Sequence, residues 1–262
     1  MLKTGILTSA TILVLVFLSS NFYGENKQSI SWRKIETGEK FTVGIKSDGT
    51  LWTWGDDAVI AGPDVPTRRI LPTQIGNKTD WTGIYPGHYH TIAQLKDGSL
   101  WGWGMNNTNQ MGEVKWGMNI KLYLSPKIVW EDTNWQEIAT GVFHTIALKK
   151  DGTLWAWGWN QYGLLGLGDT LTHTSYTQIG KDTDWSKISA GMNHTVAIKK
   201  NGTLWTWGRN DLGQLGLGDK EDRAIPTRVG KDTDWSVIAT AYDHTIAIKK
   251  DGSLWGWGAN ST

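Results

Sequence analysis

The apolar positions of this chain come in short runs that do not alternate. Thr145, Ile146, Ala147 and Leu148 follow one another, and equivalent runs stand at 91–95, 195–198 and 245–248. A strand exposed on one face would read apolar, polar, apolar, so both faces of these strands must be covered. Each run leads to a turn signal: Asp151-Gly152 is the dipeptide that readily takes the left-handed angles of a two-residue hairpin, and Leu154 to Gly158 reads as the return strand. Upstream, Trp135 to Ile138 reads as a strand leading into Gly141. Downstream, Tyr176 to Ile179 reads as another, entered in the sister segments through Pro72, Pro126 and Pro226. One unit therefore predicts four short antiparallel strands.

The unit repeats. The first Trp of Leu-Trp-x-Trp-Gly falls at 52, 101, 155, 205 and 255, giving spacings of 49, 54, 50 and 50. A period near fifty predicts stacked blades, each covering its neighbours' faces. The fold expected is an all-β propeller of about five four-stranded antiparallel blades, with repeats at 32–80, 81–134, 135–184, 185–234 and 235–262 inside a domain of residues 28–262.

Residues 1–27 differ in kind. Lys3 precedes an apolar run from Ile6 to Leu18, followed by Ser19-Ser20 and a polar stretch. That pattern predicts a signal peptide or, through residues 6–23 with Phe22 and Tyr23 at the interface, a signal anchor. The expected location is secreted, periplasmic or at the cell surface. A net charge of +1 and the lack of any basic run argue against nucleic acid as a partner. With no cysteine in 262 residues, disulfides and thiolate metal sites are excluded, and packing must supply stability.

Eighteen tryptophans invite a functional reading, but fifteen are repeat positions. Trp32, Trp81, Trp135, Trp185 and Trp235 open the repeats. Trp52, Trp101, Trp155, Trp205 and Trp255 begin the return strand, and Trp54, Trp103, Trp157, Trp207 and Trp257 follow two residues on. All fifteen are expected to pack blade against blade. Trp116, Trp130 and Trp159 stand outside the register, as exposed binding groups or as fillers of local gaps. His90, His144, His194 and His244 lie one repeat apart, with Phe41 in the first repeat, so each is expected to bond backbone within its own blade and not to ligate metal. The carboxylates are mostly turn residues, such as Asp48, Asp97, Asp151 and Asp251, and no nucleophile, base or ligand set converges. A non-enzyme without cofactor or metal is expected.

The combination Gly-x-x-His-Thr, Asp-Gly-Thr-Leu-Trp-x-Trp-Gly, Asn-x-x-Gly-x-Leu-Gly-x-Gly-Asp (160–169 and 210–219) and Pro-Thr-x-Ile/Val-Gly resembles the repeat of the regulator of chromosome condensation family. The resemblance implies a propeller, usually seven-bladed, that serves as an interaction platform. Members include a nucleotide exchange factor for a small GTPase, a plant ultraviolet-B photoreceptor and a secreted bacterial inhibitor of β-lactamases. The photoreceptor's Gly-Trp-Arg-His-Thr frame is not met here, where the middle positions read Glu39-Lys40, His88-Tyr89, Val142-Phe143, Met192-Asn193 and Tyr242-Asp243. No insertion long enough to form an exchange wedge is present either.

In an up-and-down blade, the Gly-x-x-His loop and the loop after Trp-Gly share one end, while the Asp-Gly hairpin and the Asp-Thr-Asp-Trp loop share the other. The hairpin end is nearly constant and lysine-rich, with solvated lysines expected. The other end varies, and aromatic, Met and Arg side chains supply interface anchors. The binding surface is therefore expected at His88, Tyr89, Met105, Phe143, Trp159, Asn193, Arg209, Tyr242 and Asp243, with a protein partner. The alternatives are a polysaccharide stacked on Trp159, Trp116 or Tyr89, and, by family analogy, guanine-nucleotide exchange on a small GTPase.

Strand counting gives four in each of repeats one to four and three in the fifth. Closing five blades would need steps of about 72° where seven-fold packing uses about 51°. The repeats show no adjustment to the wider step, so an incomplete ring or open arc of a seven-bladed type is expected. With its end faces bare, such an arc is expected to be either a fragment of a longer propeller or to complete itself by self-association.

Overall fold

The computed structural model describes residues 30–56, 68–112 and 122–260. Residues 1–27, expected to be a signal peptide or anchor, and Trp116 lie outside these residues. Among the described residues, nineteen strands form five antiparallel sheets. Blade one comprises β1 (Trp32–Thr37), β2 (Phe41–Lys46), β3 (Leu51–Asp56) and β4 (Arg68–Gln74). Blade two comprises β5 (Trp81–Pro86), β6 (His90–Leu95), β7 (Leu100–Met105) and β8 (Leu122–Trp130). Blade three comprises β9 (Trp135–Thr140), β10 (His144–Lys149), β11 (Leu154–Gly158) and β12 (His173–Ile179). Blade four comprises β13 (Trp185–Ala190), β14 (His194–Lys199), β15 (Leu204–Gly208) and β16 (Arg223–Arg228). Blade five comprises β17 (Trp235–Thr240), β18 (His244–Lys249) and β19 (Leu254–Gly258). Pairing is sequential in every sheet, and no described residue is helical.

The unalternating runs are explained at the seams. Ile146, Leu148 and Leu154 of blade three pack on Trp185, Ala197 and Trp207 of blade four. Val196, Ile198 and Leu204 of blade four pack in the same way on Trp235, Ala247 and Trp257 of blade five. At both seams an aliphatic face of one blade is thus set against a Trp-Ala-Trp face of the next. Burying an indole removes about 150–250 Å² from water, so these rings dominate the apolar burial.

The ring is not sealed between blades five and one. On blade five's aliphatic face, Leu254 is 69% and Ile246 36% exposed, where their counterparts Leu154 and Ile146 are at 0%. On blade one's Trp face, Trp32 and Trp54 are half-buried, whereas Trp81 and Trp103 are buried.

Three expectations change. The histidines do not bond backbone in their own blades: Nε2 of His90, His144 and His194 reaches the hydroxyl of Thr145, Thr195 and Thr245 in the next blade, at 3.4, 3.3 and 2.9 Å. Each hydroxyl gives its hydrogen to a loop carbonyl of the preceding blade, Gln110, Leu164 or Gln214. It must therefore accept from Nε2–H, which makes the imidazole a neutral donor across the seam. Burial holds these rings neutral, pushing His90 and His194 down to about 3 and His144 to about 4. Gly141 lies against this ring, and a Cβ there would come within 2.2 Å of His144 Cε1.

The second change concerns the first Trp of each return strand, which is not core. Trp155 and Trp205 are half-buried at the hairpin end. Asp151 Oδ1 accepts from the Thr153 amide (3.0 Å) and hydroxyl (2.7 Å), and that hydroxyl accepts from Trp155 Nε1 at 2.9 Å. The turn needs glycine, because Gly152 has φ 84° and a Cβ would meet the Thr183 carbonyl at 2.1 Å.

The third change concerns the lysines, half of which are not simply solvated. Lys149, Lys199 and Lys249 lie over the Trp pairs of their blades and bind Asp132, Asp182 and Asp232 at 2.5, 2.6 and 2.6 Å. Their neighbours Lys150, Lys200 and Lys250 are exposed.

Candidate interaction face

Four backbone bonds unite the two loops at the variable end of the blades. Met105 N donates to Tyr89 O, Trp159 N to Phe143 O, Arg209 N to Asn193 O and Ala259 N to Asp243 O, at 2.7–2.9 Å. The variable positions of each repeat are thereby neighbours. The Asn-x-x-Gly-x-Leu-Gly-x-Gly-Asp segment supports this end from behind: Asn160 Oδ1 accepts from Leu165 N at 2.8 Å, while its Nδ2 donates to the Asp169 carbonyl and carboxylate. Asn210 and Asp219 repeat the arrangement. Blade two does without the motif's full length, since Asn106 holds Met111 N and the Gly112 carbonyl.

On this support the aromatic side chains form one continuous stripe. The Tyr242 ring lies 4.8 Å from His88, His88 5.8 Å from Tyr89, Tyr89 6.1 Å from Phe143, Phe143 5.8 Å from Trp159, and Trp159 5.6 Å from Tyr162. The Arg209 guanidinium ends the stripe 5.3 Å from the Tyr162 ring, held there by Asp211 at 2.5 Å. Tyr242 is 49% exposed and the other stripe residues are half-buried. Met105 and Asp243 are half-buried beside it, whereas Asn193 is buried, at 4% exposure.

Tyr162 and Glu39 belong to this surface and were not singled out from the sequence. Tyr162 occupies a motif position filled by Leu212 in the next repeat, and that substitution was the available signal. Glu39 Oε2 sits 3.6 Å from His88 Nδ1. Burial lowers the His88 pKa against the pull of Glu39, while burial and Glu39 together raise those of Tyr89 and Tyr242. Trp130, in contrast, fills a gap, its ring 4.6 Å from Tyr176 and 6.3 Å from Trp157.

Behind Glu39, His88 and Tyr242 opens the central channel, a cavity of about 890 Å³ lined by the inner strands β1, β5, β9, β13 and β17. Lys34 pairs with Glu36 at 3.7 Å, donates to the Ile84 carbonyl at 3.3 Å and lies over the Tyr85 ring. Burial pushes Glu137 up to about 7 and Tyr85 to about 12, and it lowers Lys34. Among the described residues, no group of three or more His, Cys, Asp or Glu is placed to hold a metal ion.

A propeller of Trp-rich blades whose constant end is built from hairpins and whose other end carries a variable aromatic surface is a scaffold for interaction. The chain belongs to the RCC1-like domain family, whose profile matches residues 19–262. It is similar to yeast RCC1 (Prp20), solved bound to Kap60, with a TM-score of 0.75, 20% identity and coverage of 88% of this chain and 56% of that one. Human WBSCR16 aligns with a TM-score of 0.73 and 20% identity over 87% of this chain and 60% of that one. The ultraviolet-B receptor UVR8 of Arabidopsis thaliana is 40% identical over 62 residues, 23% of this chain and 14% of the receptor. The chain thus spans little more than half of these solved neighbours and a small part of the receptor. At such identities the structural likeness establishes the fold.

Proposed function

We propose that this protein is an exported, non-catalytic interaction module that grips a protein partner with the aromatic stripe from Tyr242 to Tyr162 and Arg209. The stripe carries the reading: it gathers Tyr, Trp, Phe and Arg, the residue types enriched at binding hot spots, on a rigid end of the fold. Export is supported by the Lys3 and Ile6 to Leu18 pattern. The known relatives fit a binding role, since a solved yeast neighbour, Prp20p, is described with its binding to Gsp1p and histones.

The rings favour protein over polysaccharide. Trp159 meets Phe143 at 79° and Tyr162 at 89°, a ridged surface and not the flat platform on which sugar rings stack. Affinity capture with the full chain tests the reading, using Trp159→Ala and Tyr89→Ala against the hairpin-end variants Lys150→Glu and Lys200→Glu. A partner should be lost with the first pair and kept with the second. Binding to a glycan array that Trp159→Ala abolishes would replace the protein partner by a polysaccharide, and recovery of the protein solely from cytosol would remove the exported role.

A further inference from the structure

The five hairpins turn on one pair of positions, Asp48-Gly49, Asp97-Gly98, Asp151-Gly152, Asn201-Gly202 and Asp251-Gly252. Blade four alone has an amide there, and of all the asparagines in the chain Asn201 alone precedes a glycine. The turn itself is unchanged. Asn201 Oδ1 accepts from the Thr203 amide at 3.1 Å and hydroxyl at 2.7 Å, as Asp251 accepts from Ser253 at 2.9 and 2.7 Å, and the Gly202 amide donates to the Lys199 carbonyl at 2.8 Å. Two such donors favour a charged acceptor. In the sister turns the hydroxyl, and after it the amide, hold the Asp48, Asp97, Asp151 and Asp251 carboxyls below the usual carboxylate range. Asn201 is thus the neutral occupant of a turn that suits a carboxylate.

An Asn-Gly pair carries the means of its own conversion. When the Gly202 nitrogen attacks Asn201 Cγ, the N–Cγ bond forms, the Cγ–Nδ2 bond breaks, and ammonia leaves with the proton lost by Gly202. Water then opens the succinimide, giving its oxygen to the new carboxyl and a proton back to the Gly202 nitrogen. Breaking N–Cγ leaves aspartate, whereas breaking the bond to the main-chain carbonyl carbon leaves isoaspartate, whose main chain runs through one extra methylene. Asn201 is exposed, and glycine puts no side chain in the way. In the closed turn, however, the Gly202 N–H and the Asn201 Oδ1 are both committed, so ring closure waits for local opening of the hairpin. Space then separates the two products. A Cβ on Gly202 would come within 2.1 Å of the Thr233 carbonyl, and Gly202 O accepts from Trp235 N at 3.1 Å, so the segment entering β17 leaves no room for a longer main chain.

We propose that Asn201 is a modification site: opening of its hairpin lets the side-chain amide be lost as ammonia, and the fold retains the aspartate product over isoaspartate. Water is the only co-reactant. Because the succinimide re-forms from either product, the two exchange, and a turn that holds one and excludes the other draws the exchange toward aspartate. The four Asp-Gly turns show how that product sits, with its carboxylate on the hydroxyl and amide two residues on. The conversion adds one negative charge to the hairpin end and leaves the aromatic stripe untouched, so it stands independently of the binding role.

The test incubates the full chain at mildly alkaline pH beside a synthetic peptide of residues 198–204, Ile-Lys-Lys-Asn-Gly-Thr-Leu. Peptide mapping by mass spectrometry follows the change from amide to acid, with Asn201→Asp as the standard for aspartate and enzymatic methylation as the readout of isoaspartate. Asn201 should convert in the folded chain at least about tenfold more slowly than in the peptide, and urea should bring it to the peptide's rate. The folded chain should also hold a larger share of aspartate over isoaspartate than the peptide does. Conversion at one rate folded and unfolded would overturn the gating by the hairpin, and an isoaspartate share equal to the peptide's would overturn the retention. No conversion at Asn201 within about a hundred peptide half-lives would overturn the site itself.

Discussion

Blades three and five carry nearly the same strands, His-Thr-Ile-Ala-Leu-Lys-Lys-Asp-Gly-Thr-Leu-Trp-Ala-Trp-Gly and His-Thr-Ile-Ala-Ile-Lys-Lys-Asp-Gly-Ser-Leu-Trp-Gly-Trp-Gly, in the same register. Their environments nevertheless differ completely. His144 and Leu154 are at 0% exposure, while His244 is half-buried and Leu254 is 69% exposed. The hairpin is indifferent to this: Ser253 bonds Asp251 as Thr153 bonds Asp151, and Trp255 Nε1 reaches the Ser253 hydroxyl at 3.1 Å. Local bonds therefore belong to the repeat, whereas burial belongs to the next blade.

The comparison is sharpened most by the central indole. Trp157→Ala removes a ring at 0% exposure and should cost about 3–5 kcal/mol in urea denaturation. Leu154→Ala should cost about 2–5 kcal/mol, against less than about 1 kcal/mol for Leu254→Ala. Equal losses at these two leucines would mean that blade five's open face is covered after all.

Acid should act through the seams. His90, His144 and His194 are held below the unfolded value of about 6.5, so their contribution is complete above about pH 6.5 and is lost as pH falls toward 3–4. Glu137, raised to about 7, has the opposite sign, because unfolding releases its proton between about pH 4.5 and 7. Three protons taken up against one released give a limiting slope of about 3 kcal/mol per pH unit near pH 5.5, stability falling as pH falls. Denaturation at pH 7, 6 and 5 measures it, and His144→Gln should reduce the slope by about half.

On the variable end, Tyr242→Ala should cost less than about 1 kcal/mol of stability and, if the stripe binds, show its effect in affinity. The smallest change is expected at Asn201→Asp, within about 0.5 kcal/mol. Asn201 Oδ1 already accepts the bonds from Thr203, at 3.1 and 2.7 Å, that Asp151 accepts from Thr153. A large shift there would mean that the hairpin end has a role beyond closing turns.

Period, strand order, hairpin geometry and the division into a constant and a variable end were all legible in the residues, because each depends on contacts within one repeat or on its exact recurrence. His88, Tyr89, Phe143, Trp159, Arg209 and Tyr242 could be placed on one end by strand alternation alone. That they touch, that Tyr162 joins them and that Asn193 is buried depends on how neighbouring blades are rotated about the axis, and repeat spacing does not encode that rotation. The same holds for the histidines, whose Thr partners lie 51–55 residues away in the next blade. Sequence determined what each blade is. Tertiary structure decided which copies of one motif are interior and which are surface, because the free energy of an apolar face is set by what lies against it.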